Sequence, residues 1–491
     1  PRSRPTPGRS APDRPRWPGL LLFTALTALY CVVGTVLVLR YNIFEPDAPN
    51  RVANAGFAIY ARDPHLSAIG FVWNPLPSMV DIPFVALSHW FPALKYYGIA
   101  GVIQSSLFMA GAALMVRGIA LDRGLPAGGW RWVAVGAVAL HPMIILYGAS
   151  GLSEAAEMFC LVWSVRHLMR WCESDRVGDL AWAGIALGGC GYLTRYEVVP
   201  AAAGAALLVG AVTWHRSRYS DRVQSTVLNL AIISFPIAIA ILVWAVTGWI
   251  INGGELFATF SSQYGNSSQV AQRLAHVGRG DPGSRWLVIA ARLFGMQPLT
   301  GIAVAMAVLV GVFLRRQVST VVPVAVLGAT LTFAAVAQHL SMTFGWFRFY
   351  LLAIPMVVCI AVACWPPTRS TTIRSTADKR STQAAAVLLT ASVVVAIPVT
   401  TPLIVNEDIA YGQLESSFIS LVDPVGHPPP KKQSARRRLI SERQLTAWLD
   451  AKKLPDGAVL MDTFFGVGGS GCPRTTRNSS LLPVTTTSRP P

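Results

Sequence analysis

The chain has 491 residues, 53% of them hydrophobic and only 13% charged, with a formal net charge of +17. A soluble protein of this length carries about 25% charged residues, so the composition excludes an ordinary soluble globule and points to a polytopic membrane protein. Excess Arg and Lys in such a protein sits in cytoplasmic loops and fixes orientation, so the positive balance is no argument for a nucleic-acid partner.

In chain order, residues 1–17 are Pro- and Arg-rich and read as a disordered, basic, cytoplasmic amino terminus. A helix needs about 20 apolar residues to cross the hydrocarbon. Eleven runs approach that: 18–39, 96–116, 131–148, 154–171, 179–195, 197–213, 226–251, 294–314, 318–340, 349–365 and 384–404. A further apolar segment, 76–94, is interrupted by Asp81, Pro83 and Pro92, so it reads as interfacial within a large first loop, 41–95. Asp81 reads there as a turn or interface residue. Residues 18–405 then form one transmembrane domain. Residues 406–465 are more polar: ISERQLTAWLDAKK has a helical period and GAVLMDTFF reads as a strand. They suggest a small, incomplete α/β unit, and 466–491 lose periodicity and read as disordered. The expected fold is all-α and polytopic, with about eleven transmembrane helices, a large extracytoplasmic first loop and a small α/β carboxyl-terminal segment.

Charge sets the orientation. With the amino terminus inside, the loops at 117–130, 172–178, 214–225, 315–317 and 366–383 fall inside, and they carry Arg117, Arg123, Arg176, Arg216, Arg218, Arg222, Arg315, Arg316 and Arg374 among others. Counting 76–94 as a full span would invert every later loop. The expectation is a multi-pass plasma-membrane protein with a cytoplasmic amino terminus and an extracytoplasmic carboxyl terminus.

That topology gathers Glu45, Asp47, Arg51, Asp63 and His65, then Ser153, Glu154 and Glu157, then Arg195 and Glu197, then His339, Trp346 and Arg348 on the outer face. Ionisable residues at span ends are functional candidates, although span ends are also where charge is least costly. Each has a structural alternative. Asp47 stands where it would cap a helix, and Asp63 in ARDPH favours a turn. His65 is a lone histidine. Glu154 follows Ser153, which reads as an N-cap, so Glu154 and Glu157 suit the helix dipole. Arg195 and Arg348 either snorkel to headgroups or hold a phosphate bidentately. Trp346 and its aromatic neighbours suit a lipid or a sugar. The seven Cys form no CxxC pair, so zinc or redox chemistry through thiols is not expected.

Four stretches, EPDAPNRVANA (45–55), WNPLPSMVDIPF (73–84), HPMIILYGASGLSEAAEMF (141–159) with GYLTRYEVVP (191–200), and GWFRFYLLAIP (345–355), resemble the GT-C superfamily, nearest its protein O-mannosyltransferase-like branch. The resemblance implies a glycosyltransferase using a polyprenyl-phosphate sugar, with an acid early in the first outer loop as general base; Asp47 matches that position. Many relatives carry two adjacent acids there, whereas this chain has Glu45-Pro46-Asp47. The resemblance implies an extracytoplasmic glycan, lipid or protein as acceptor, and Arg195, Arg348, Glu154, Asp63, His65 and Trp346 as substrate-binding candidates. No cofactor is called for; a divalent metal on Asp47, Asp63 and His65 is chemically conceivable but not expected. The rivals are a transporter or lipid-linked-sugar flippase, and a non-catalytic scaffold.

Overall fold

The computed structural model describes residues 17–61, 63–126, 129–253, 282–314, 317–366, 376–406, 408–410 and 412–423, with short pieces at 256–257, 270–271 and within 444–454. Among these residues the regular elements are helices and no strand occurs. The expected strand at 457–465 and the tail from 466 lie outside the described residues.

The eleven apolar runs are all helical. Among the described residues six helical segments are long and apolar enough to cross a membrane: Trp17–Tyr41, Ile99–Asp122, Val198–Arg216, Tyr219–Asn252, Val318–His339 and Asp378–Ile404. Two bent pairs raise the number to eight, Trp130–Ala139 with Pro142–Gly148 at 59° and Ser284–Met296 with Thr300–Leu314 at 80°. Three expected spans fall short. Helix Glu154–Ser174 is interrupted by charge, Val177–Tyr192 spans only 16 residues, and Phe347–Ala363 is a shorter apolar helix.

We label the helices that position the site α1 (Trp17–Tyr41), α2 (Asp47–Tyr60), α3 (Leu76–Ala86), α4 (Ala93–Tyr96), α5 (Ile99–Asp122), α6 (Trp130–Ala139), α7 (Pro142–Gly148), α8 (Glu154–Ser174), α9 (Val177–Ile185), α10 (Val198–Arg216) and α11 (Arg222–Asn252). The first loop is thus built of short helices, α2, α3 and α4, as its prolines require. The break between α6 and α7 has a local cause. His141 precedes Pro142 and adopts an extended conformation, and Pro142 then starts α7. The carbonyl of Ala139 freed at the break accepts from Tyr30 Oη of α1 at 2.8 Å.

Two glycines set the approach of elements to the site. Gly151 has φ +78°, a left-handed conformation, and lets the chain turn between α7 and α8 against Ala48 and Gly101. Gly188 lies in a π-helical turn, Ala186–Tyr192, after α9; a Cβ there would overlap the backbone of Ile237 in α11. That turn ends at the corner carrying Arg195. Gly311, opposite Thr320, allows a similar close approach elsewhere.

Helix α8 ties two polar layers together. Its first residue, Glu154, is in one cluster of charged groups, and Glu173 near its end pairs with Arg123 in another. The 19 helical steps from one to the other rise about 28 Å, close to the thickness of bilayer hydrocarbon. Between the layers the helices pack through Ala, Val, Leu, Ile and Met side chains in one continuous core.

Candidate active site

The site is organised around Arg348. It lies in a single 3₁₀ turn, Phe347–Tyr350, whose flanks Phe347 and Tyr350 are fully buried. Tyr350 Oη donates to Gln338 Oε1 at 2.7 Å and fixes the turn. The guanidinium faces three carboxylates from two distant segments: Glu45 Oε1 at 3.0 Å, Glu154 Oε1 at 3.1 Å and Asp47 Oδ2 at 3.5 Å. Its Cζ lies 3.9 Å from the centre of the Trp346 ring. Burial disfavours the charge on Arg348, and the carboxylates of Glu45 and Glu154 outweigh it, so the guanidinium is held protonated.

A second guanidinium, Arg195, is joined to the first through Glu154, whose Oε1 lies 3.0 Å from Arg195 Nη1. Arg195 also meets Glu157 at 3.1 Å and Glu197 at 2.6 Å. Glu154 and Glu157 occupy the first turn of α8, where backbone N–H groups favour negative charge. Ser153 stands at the N-cap position, but its side chain makes no cap bond. Its Oγ instead accepts from Arg195 Nη1 and from Arg51 Nη2, each at 3.2 Å. The capping role expected for Ser153 is therefore replaced by a bridge between two cations. Asp47 likewise makes no cap bond at the start of α2; its carboxylate turns to Arg348.

Asp47 differs from the other carboxylates on Arg348 in exposure. Its side chain is 40% exposed, against 4% for Glu45 and 5% for Glu154. It is the acid of this group that meets solvent, and a guanidinium holds it in place. Glu45 is sealed from below: its Oε2 accepts from Leu414 N at 2.9 Å, and Glu415 contacts Tyr147 Oη. The helix Gln413–Val422 thus folds back against the site from beyond the last apolar helix. Burial pushes the Glu45 carboxyl up to about 7, against the pull of Arg348, and burial also raises Glu415.

Asp81 departs from expectation. Rather than a turn or interface residue, it is fully buried on α3, and burial holds its carboxyl well above the usual range, with Arg51 opposing. Arg51 lies over the Trp73 ring at 5.0 Å. The 73–77 stretch is anchored to the Arg195 corner by Leu76 N donating to Leu193 O at 2.8 Å and by Asn74 donating to Tyr192 O. Beside that corner Phe71, Tyr196, Trp244, Gly248, Asn252, Leu256 and Phe257 line a small, partly open groove.

Of the residues singled out in the sequence, Asp47, Glu154, Arg195, Trp346 and Arg348 come together. Asp63 and His65 do not join them. They lie on an exposed turn where His65 Nδ1 sits 2.6 Å from the Asp63 carbonyl and 3.8 Å from its carboxylate. No group of three or more His, Cys, Asp or Glu side chains is arranged to hold a metal ion among the described residues. Sequence reasoning gave no role to Tyr147 or Glu415, which are 268 positions apart, and did not weigh Arg51. A signal for Arg51 existed: it follows Asp47 by four residues, one turn along the same face of α2. No protein-family model matches this chain, and no curated protein matches it at a significant level.

Proposed function

We propose that this chain is an integral-membrane glycosyltransferase of the GT-C type, spanning the plasma membrane about eleven times. It moves a sugar, mannose or arabinose, from a polyprenyl-phosphate donor to an extracytoplasmic acceptor with inversion. The observation that carries the reading is the solvent-facing carboxylate of Asp47, held 3.5 Å from a buried guanidinium that reaches it from 301 residues away. Loss of that contact would leave no common site for the residues on which the resemblance rests.

The chemistry follows from the groups present. An acceptor hydroxyl is a weak nucleophile, and a positioned carboxylate that takes its proton contributes typically about 10²–10⁴-fold. As the proton passes to Asp47, the hydroxyl oxygen bonds to the anomeric carbon. The bond from that carbon to the phosphate oxygen breaks, and polyprenyl phosphate leaves with the electron pair. The leaving group is already anionic, so it needs cations rather than a second acid. Arg348 orients Asp47 beside a buried network of acids.

The sidedness rests on the two polar layers about 28 Å apart along α8. The layer with Arg123, Arg166 and Arg170 lies on the cytoplasmic side by the charge rule. The layer with Asp47 then faces outward, where a lipid carrier and an extracytoplasmic acceptor meet. A transporter or flippase reading calls for ionisable groups along a path near the midplane. Here the charged clusters sit at the helix ends, with the apolar core between them.

The experiment is transfer from radiolabelled polyprenyl-phosphate mannose and polyprenyl-phosphate arabinose by purified protein. Asp47→Asn should lower turnover by about 10²–10⁴-fold with little change in melting temperature. Near-normal turnover in that variant removes Asp47 from the role of base. Absence of transfer by the wild type from either donor removes this donor class.

A further inference from the structure

Three guanidinium groups lie in this cluster, and they differ in the carboxylates within 4 Å of them among the described residues. Arg348 faces Glu45, Asp47 and Glu154, and Arg195 faces Glu154, Glu157 and Glu197. Both are already surrounded by carboxylates. Arg51 is not. Its Nη2 donates to Ser153 Oγ, while Nε and Nη1, carrying three of the five N–H donors of a guanidinium, have no hydrogen-bond partner among the described residues. The side chain is nonetheless buried, at 7% exposure.

Its surroundings add to the imbalance. Arg51 and Arg195 share one acceptor, Ser153 Oγ, so two like charges meet at a single neutral oxygen. Across from Arg51, both carboxyl oxygens of Asp81 are buried without a hydrogen-bond partner among the described residues. Arg51 and Asp81 influence each other's charge, yet form no hydrogen bond. Unpartnered donors on a buried cation are costly. An anion seated among them removes that cost, because a phosphate accepts several charge-assisted bonds from one guanidinium.

We propose that Arg51, with Ser153 and Asp81 around it, seats the phosphate of the polyprenyl-phosphate donor, a role the sequence offered to Arg195 and Arg348. This rests on the donor class proposed above and assigns the atom that receives the developing charge. Arg51 follows Asp47 by one turn of α2, about 5–6 Å along the axis. Base and phosphate seat therefore belong to one rigid helix, separated by enough to place an anomeric carbon between them. Burial raises the Asp81 carboxyl well above the usual range against the pull of Arg51, which favours the acid form whose O–H can donate to a phosphate oxygen.

The test is equilibrium binding of two probes to the purified full-length chain in lipid nanodiscs: decaprenyl phosphate, which lacks the sugar, and decaprenol, which lacks the phosphate. The wild type should prefer the phosphate by about tenfold or more, the scale of charge-assisted bonds. Arg51→Gln should erase that preference and leave decaprenol binding unchanged. Arg51→Lys, which keeps the charge without the planar fork, should retain part of it. A preference in Arg51→Gln within about threefold of the wild type overturns the seat and leaves the donor class standing. A wild type with no preference overturns both. Should Arg51→Gln lose decaprenol binding and its folded melt, Arg51→Lys decides, and an undiminished preference there overturns the seat.

Discussion

The two charged layers at the ends of α8 are built from the same residue types and differ in balance. In the inner layer the cations around the end of α8 face carboxylates. Arg123, almost fully buried, pairs with Glu173 and donates to Ser319 Oγ at 2.8 Å and to the Ala363 carbonyl at 2.7 Å. Arg166 pairs with Asp122 at 2.8 Å, and Asp179 takes His167 at 2.8 Å and Arg170 at 3.3 Å. In the outer layer acids crowd two guanidinium groups, a third guanidinium has no carboxylate within 4 Å among the described residues, and Asp47 is the most exposed of the acids. The matched layer fastens helix ends. The unmatched layer costs stability, and buried charge of that kind is kept where chemistry needs it.

The sharpest way to break this contrast is to remove one arginine from each layer. Arg348→Met strands Glu45 in the interior and leaves Glu154 to Arg195 alone, and an uncompensated buried charge costs about 3–5 kcal/mol. Arg123→Met leaves Glu173, whose side chain is 35% exposed and reaches water, so the loss should be smaller, about 1–3 kcal/mol. Melting temperatures should rank wild type above Arg123→Met above Arg348→Met. Transfer per folded molecule should survive in Arg123→Met and vanish in Arg348→Met. Equal loss of transfer in both would make the inner layer part of the catalytic machinery.

Much of this arrangement was legible in the sequence, for identifiable reasons. Hydropathy located most of the apolar helices, because a helix surrounded by lipid must be apolar all round, but it missed most of Pro282–Met296, the first half of a bent pair. Proline marked the interruptions of the first loop at 76–94, whereas 131–148 read as one run and its bend at Pro142 emerged only in the structure. Sidedness brought Asp47, Glu154, Arg195 and Arg348 to one face before any contact was known. The three expected spans that fall short, Glu154–Ser174, Val177–Tyr192 and Phe347–Ala363, are instructive. Their outer ends carry or lead to Glu154 and Glu157, Arg195, and Arg348. Charge, a π-helical turn and a 3₁₀ start are the deviations that aim those side chains, and each weakens the hydropathy signal. The contact of Tyr147 with Glu415 was not legible, because it depends on how the segment beyond the last helix folds back. Asp81 misled for the opposite reason: between two prolines it resembles a turn residue, and only packing shows it buried.

A smaller effect probes whether burial or ion pairing governs the outer layer. Burial lifts Glu45 from the ordinary 4.5 to about 7, so the folded state holds a proton there that the unfolded chain releases. The stability this gives is fully present below about 4.5 and lost as pH rises through about 7, a change of up to about 3 kcal/mol. Glu45→Gln is neutral at every pH. It should melt close to the wild type at pH 5 and above it at pH 8. A wild type that instead gains on the variant as pH rises would mean the 3.0 Å contact with Arg348 outweighs desolvation.

The smallest expected effect marks the edge of the outer layer. Asp63 and His65 carry the residue types of a site, yet the Asp63 side chain is 94% exposed and their contacts are with each other. Exposed pairs contribute little, so Asp63→Ala and His65→Ala should each change stability by less than about 0.5 kcal/mol. Transfer should stay within about twofold, since surface substitutions away from a site act weakly. A tenfold loss in either would extend the working surface from Asp47 to this exposed turn. In that case the distinction between exposed and buried acids would no longer separate function from solvation, and Asp47 would lose the feature that sets it apart.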